Sequence, residues 1–144
     1  MIKNNYNYVM NINIEEYNNV AAFLPGLYKF QESDLFFQAI IGLTDKTLNI
    51  YNDHAPDSKT EDTLTYKVKV RIPLNSIKAV ANERIINNKD MAGLGRLKFI
   101  VPSENKSYLF YYFLDTKKKL KLFLDLLKHN GLKPQNRKVD LARE

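Results

Sequence analysis

The chain has 144 residues, 44% of them hydrophobic and 12% aromatic, enough for one domain that buries about two thirds of its unfolded surface and too apolar for wholesale disorder. The absence of cysteine excludes disulfides, thiolate metal sites and a cysteine nucleophile, and no apolar run approaches the ~20 residues of a bilayer-spanning helix. A formal charge of +6 favours acidic partners in general terms, and much of the excess follows Asp115, between Lys117 and Arg143.

In chain order, residues 1–13 are rich in asparagine and tyrosine and read as a loose arm or an added edge strand. They lack the apolar core of a secretory signal, so a cytoplasmic setting is expected, with room for peripheral membrane contact. Asn13 is placed to cap a short helix, with Glu15 and Glu16 in its first turn. Tyr17, Val20, Ala21 and Leu24 then recur at helical spacing, and Pro25-Gly26 would end the segment. From Leu27 the period changes to that of strands. Leu27 to Gln31 and Leu35 to Leu43 are predicted strands around a turn at Glu32-Ser33-Asp34, and Thr44-Asp45-Lys46 is predicted to turn the chain into a strand from Thr47 to Asn52. A long polar loop from Asp53 to Thr63 precedes the clearest alternation in the chain: Tyr66, Val68, Val70 and Ile72 against Lys67, Lys69 and Arg71. Pro73 suits the end of that strand. Further strands are predicted near Ser76 to Ala81, over Arg96 to Val101 and over Ser107 to Phe113, the last two flanking a turn at Pro102 to Lys106.

One helix follows. Asp115 is the expected N-cap, Leu120, Phe123, Leu124 and Leu127 form the apolar stripe, and Gly131 and Pro134 stop the segment. The division expected is an arm and short helix over 1–26, a domain over 27–131 and a basic flexible tail over 132–144.

Seven strands in hairpin order closed by one amphipathic helix resemble the bacterial pleckstrin-homology (PH-like) family. The resemblance is carried by the apolar run that breaks at Leu43-Thr44-Asp45-Lys46, the strand that resumes at Thr47-Leu48-Asn49-Ile50-Tyr51, the alternation ending at Ile72-Pro73-Leu74-Asn75-Ser76-Ile77 and the late helix. It implies a mainly β fold with a C-terminal helix: a seven-stranded, partly open barrel of two near-orthogonal antiparallel sheets, capped by that helix. It also implies a non-enzymatic binding or scaffold module, and bacterial relatives of this type include self-assembling scaffolds. Phosphoinositide-binding relatives place cations on the first two strands and their connection. Here only Lys29 matches, while Glu32, Asp34, Phe37 and Gln38 stand where cations would be needed, so no specific phosphoinositide site is expected.

The residues offer little for catalysis, and no cofactor or metal is expected. His54 lies in a loop and His129 in the last helical turn, where a cation suits the dipole; no ligand-type spacing joins them. Gly93-Leu94-Gly95-Arg96 superficially resembles a phosphate loop but leads into a strand rather than a helix. Two surfaces are the candidates. Alternation would place Lys67, Lys69 and Arg71 on one strand face, with Lys78 extending the row and Lys117, Lys118 and Lys121 adding to it: a patch for an anionic membrane or an acidic protein. The helix carries more apolar residues than one sheet contact needs, leaving Leu122 and Leu126 to meet either the 13–24 segment or a protein partner, possibly a second copy of the chain. The aromatic residues do not follow the strand motifs of nucleic-acid-binding sheets, and such binding is not expected.

Overall fold

The computed structural model describes residues 12–14, 16–30, 34–53 and 64–144; the arm at 1–11, the turn residues Glu32 and Ser33, and most of the 53–63 loop with His54 lie outside them. The elements are β1 (Ile12–Ile14), β2 (Ala22–Tyr28), β3 (Phe37–Leu43), β4 (Thr47–Asp53), β5 (Leu64–Pro73), β6 (Ala79–Ile85), β7 (Leu94–Val101), β8 (Lys106–Phe113), α1 (Lys117–His129) and β9 (Gln135–Val139). They form one sheet in the order β1-β5-β4-β3-β2-β8-β7-β6-β9. The seven strands β2 to β8 pair antiparallel throughout, and β1 and β9 add in parallel at the two edges. Strand β2 joins the two halves, pairing with β3 along its length and with β8 from Gly26 to Tyr28. A single core takes side chains from all seven central strands and from α1, so the sheet must curl over on itself. It stays open between β5 and β6, which a short 3-10 turn at Leu74–Ser76 connects. This is the PH-like arrangement that the resemblance implies, with two edge strands beyond the expected seven.

The helix expected between Asn13 and Leu24 is not formed. That stretch is β1, a 3-10 turn at Tyr17–Asn19 and the start of β2, and Pro25-Gly26 sits inside β2 instead of ending a helix. Strand pairing overrides local spacing here. Pro25 precedes the point at which β8 takes up the second side of β2, so its missing N–H leaves that ladder intact. Gly26 is required by close approach, since a Cβ would lie 2.0 Å from the Tyr111 carbonyl oxygen. The turn after β3 forms as expected, with Thr44 Oγ1 accepting from the Thr47 and Lys46 amides at 2.9 and 3.2 Å. Strand β6 begins at Ala79 rather than Ser76, whose hydroxyl donates to the Pro73 carbonyl at 2.7 Å within the 3-10 turn.

The alternation on β5 contains a slip. Val68 pairs with Tyr51 and Val70 with the adjacent Ile50, leaving Lys69 as an extra residue in a bulge. Val70 and Ile72 pack on the main core, whereas Tyr66 and Val68 join a second cluster with Ile14, Ile40 and Tyr51 on the outer side of the sheet.

Helix α1 rests on β2 with Phe123 and Leu127 fully buried. Its N-cap is Thr116, not Asp115, and no side chain caps it; the Thr116 hydroxyl donates to the Phe113 carbonyl at 2.6 Å instead. The end at Gly131 follows expectation. Gly131 has φ +84, its amide donates to the Lys128 carbonyl at 2.9 Å, and the Leu132 amide donates to the Leu127 carbonyl at 2.8 Å. These are the paired bonds of a Schellman motif, and Leu132 joins the core as its apolar partner. The residues expected as a flexible tail are therefore ordered: Leu132 is buried and β9 pairs with β6 from Ala81 to Ile85. Charge density disguised an edge strand, because an edge residue on β9 can keep its side chain in water while its backbone completes a ladder.

Candidate functional site

The cations expected to form one patch are dispersed. Lys67, Lys69 and Arg71 are all exposed, but the bulge at Lys69 breaks the two-residue period, so Lys67 and Arg71 lie on opposite faces. Arg71 is engaged, its Nη2 donating to Glu16 Oε2 at 2.9 Å. Lys78 precedes β6, its amide donating to the Ile100 carbonyl at 2.8 Å and its side chain exposed beside the turn at Gly131. The row read from alternation is thus corrected: one inserted residue was enough to divide it.

The lysines of α1 remain together. Lys117, Lys118 and Lys119 fill the exposed first turn with no acidic residue among them, against the preference of a helix N-terminus for negative charge. Lys121 pairs with Asp125 at 3.0 Å, and the Lys119 ammonium lies 5.6 Å from the Phe23 ring centroid. Phe23 meets Tyr17 edge-on at 5.7 Å, and Tyr17 is 56% exposed. Leu122, one turn beyond Lys119 on the same flank, is 51% exposed. Leu126 is half-buried against the core and lines a groove of about 600 Å³ with His129, residues 18–21 and the turn after β3. The structure therefore brings Leu126 beside residues 18–21 and leaves Leu122 half in water.

Two other concavities are built mostly from residues that the sequence did not offer as a site. At the mouth of the barrel, Asn82, Arg84, Lys89, Tyr112 and Asn136 line a cavity of about 780 Å³. There the Tyr112 hydroxyl donates to Asn82 Oδ1 at 2.7 Å and Asn82 Nδ2 donates to Asn136 Oδ1 at 3.3 Å; burial raises the Tyr112 pKa. Gly95, part of the sequence that resembled a phosphate loop, lies in β7 against the Tyr112 ring.

On the outer side of β7, Arg96 is 1% exposed. Its Nε donates to Glu83 Oε1 at 2.6 Å, and Nη1 and Nη2 donate to the two carboxylate oxygens of Glu144 at 3.0 and 2.6 Å. Glu83, itself 1% exposed, also accepts from Arg137 Nε on β9 at 2.9 Å. Burial alone would lower the Arg96 pKa, but its bonds to Glu144, Tyr111 and Glu83 outweigh that and hold it above the usual value. The same bond from Arg96 holds the Glu144 carboxyl below its usual range despite partial burial. Arg96 and Glu83 were invisible as a site because alternation with Leu97 and Phe99 only says that Arg96 faces outward. Its partners Glu83, Tyr111 and Glu144 all come from other parts of the chain.

Lys29 lies 5.8 Å from the Phe36 ring centroid, and Phe37 is 41% exposed at the start of β3. The Gln38 carbonyl accepts from Asn52 Nδ2 at 2.7 Å. Burial pushes the nearby Tyr28 phenol up to about 12. Among the described residues, no group of three or more His, Asp or Glu side chains is placed to hold a metal ion, and no helix is long and apolar enough to cross a membrane.

No protein-family model and no curated protein matches the chain. Among solved structures, it is similar to Vav1 inhibited by an allosteric inhibitor at 18% identity and a TM-score of 0.49, over 85% of this chain and 31% of that one. It is similar to autoinhibited Vav1 at 19% identity and a TM-score of 0.44, over 85% of this chain and 21% of that one. The DH/PH domains of a RhoGEF match at 13% identity and a TM-score of 0.44, over 76% of this chain and 29% of that one. The chain thus spans less than a third of each of these longer proteins.

Proposed function

We propose that this chain is a non-enzymatic binding module whose working face is the outer flank of α1, and that its partner is an acidic protein with an apolar contact residue. The observation that carries this reading is Leu122, half in water one turn beyond Lys118 and Lys119, the second of which lies over the Phe23 ring. A half-exposed aliphatic side chain beside the lysine-rich first turn of α1 suits a partner that presents an apolar anchor next to negative charge. Self-association through this flank is disfavoured, because two copies would bring their lysines together. Strand-to-strand assembly at the β9 edge is also disfavoured, because β9 is short and carries Arg137 and Lys138.

The test is Leu122→Asp. Quantitative affinity capture should show acidic partners retained by the wild type and by a Lys138→Gln control but lost with Leu122→Asp. An unchanged set of partners would reject the reading. Light scattering of the wild type should give the mass of a single chain.

A second reading, peripheral binding to anionic membrane, is supported by Leu35, Phe36 and Phe37, exposed by 66%, 40% and 41% beside Lys29. With Lys67, Lys69, Lys117 and Lys118 also exposed, cosedimentation with anionic vesicles should fall on Phe36→Ser; equal pelleting of the variant would remove this reading.

A further inference from the structure

Arg96 meets its two carboxylate partners in different ways. Its Nε bond to Glu83 lies wholly inside, with both side chains no more than 2% exposed and Glu83 further tied to Arg137. Its fork, in contrast, grips Glu144, whose side chain is 44% exposed. Two parallel N–H bonds from one guanidinium to one carboxylate are a recognition geometry, and a burial that holds the fork rigid before contact lowers the ordering cost of binding. Beside this fork a cavity of about 350 Å³ is walled by Tyr28, Phe36, Leu109 and Tyr111, with Lys29 and Lys106 also lining it. Its size and mixed character are those of a small-ligand site. Phe36 and Tyr111 meet edge-on at 5.1 Å, so the aromatic wall is preformed.

We propose that the Arg96 fork is a binding site for the carboxylate of a small organic acid with an aromatic or branched apolar body, and that Glu144 occupies the fork when the acid is absent. A monoanion fits better than a phosphate dianion, because Glu83 lies 2.6 Å from Arg96 Nε and already offsets part of its charge. Glu144 can leave without unpairing β9. Asp140, between them, is held separately: Asn87 Nδ2 donates to its carboxylate at 3.1 Å, and the same side chain accepts the Ala142 amide at 3.1 Å. The Glu144 side chain is therefore a placeholder carried by the 3-10 turn that follows Asp140.

Calorimetric titration of the full chain with 3-phenylpropionate tests this. Removing a resident competitor raises apparent affinity by the inverse of the fraction of time the fork is free, so Glu144→Ala should bind about tenfold more tightly than the wild type or better. In the wild type, the acid should shift the amide resonances of residues 141–144 and leave those of β9 in place. Inorganic phosphate should bind Glu144→Ala more weakly than the acid does. Arg96→Lys, which keeps the charge but loses the fork, should abolish the gain; if that variant does not fold, the Glu144→Ala comparison decides alone. No binding, or equal binding by wild type and Glu144→Ala, would show a purely structural clasp and overturn the proposal. Phosphate binding as tight as the acid would overturn the assignment to a monoanion.

Discussion

The two sheet halves protect their outer faces by opposite chemistry. On the β3–β5 side, Ile14 arrives with β1 and packs with Ile40, Tyr51 and Tyr66, supported by Val20, Phe23 and Val68. On the β6–β8 side, β9 brings Arg137 to Glu83, and Glu144 comes in over Arg96. Both covers come from a short strand added in parallel at an edge. The apolar cover is non-directional and tolerates side-chain adjustment. The ionic cover is directional and high-stakes, because each buried charge is costly once its partner is lost. One face is sealed; the other is latched, and a latch can be opened by a competing ion.

The sharpest way to break the comparison is from inside the latch. Glu83→Gln leaves Arg96 buried with reduced compensation and is expected to cost about 3–5 kcal/mol in urea unfolding. Ile40→Ala, the matching lesion in the sealed face, should cost about 2–5 kcal/mol. Ile40→Val should recover most of that cost, whereas Glu83→Asp, which keeps the charge but shortens its reach, should not; full recovery by Glu83→Asp would contradict the distinction drawn here.

Glu144→Ala should have a smaller effect, about 1 kcal/mol or less, since that carboxylate is partly solvated. It also sharpens the comparison through pH. The folded-state pKa of Glu144 is lowered, so its contribution is present above the unfolded carboxylate value of about 4.3 and is lost as pH falls through the depressed folded value. Wild-type and Glu144→Ala unfolding curves should therefore differ at neutral pH and converge in acid. A gap that widened in acid would reverse the assigned sign. Leu122→Asp sits outside both covers and should change stability by no more than about 0.5 kcal/mol, so any loss of partner binding can be read directly.

Much of the central fold was legible because its signals are local. Thr44 marks a turn by its own hydroxyl, Leu120 to Leu127 carry a helical stripe, and Gly131 supplies the positive φ that ends it. What was not legible depends on pairing between distant segments. Pro25-Gly26 looks like a stop until β8 is placed against Gly26, and the bulge at Lys69 leaves the alternation of letters undisturbed while dividing Lys67 from Arg71. The polar segment 135–139 has no apolar period, yet its backbone finds the free side of β6. Leu122, expected to be left over because the apolar stripe is wider than its seat, is 51% exposed. The burial of Arg96 was not legible, because its partners come from other parts of the chain.

The edge pairings carry a kinetic consequence. Ile12 aligns with Leu64 and Ala81 with Gln135, partners more than fifty residues apart, so each edge strand closes a long loop for only a few hydrogen bonds. The seven central strands form mostly through neighbouring hairpins and have no such wait. In native-state hydrogen exchange, the amides of 12–14 and 135–139 should open on their own, well before the protein unravels as a whole.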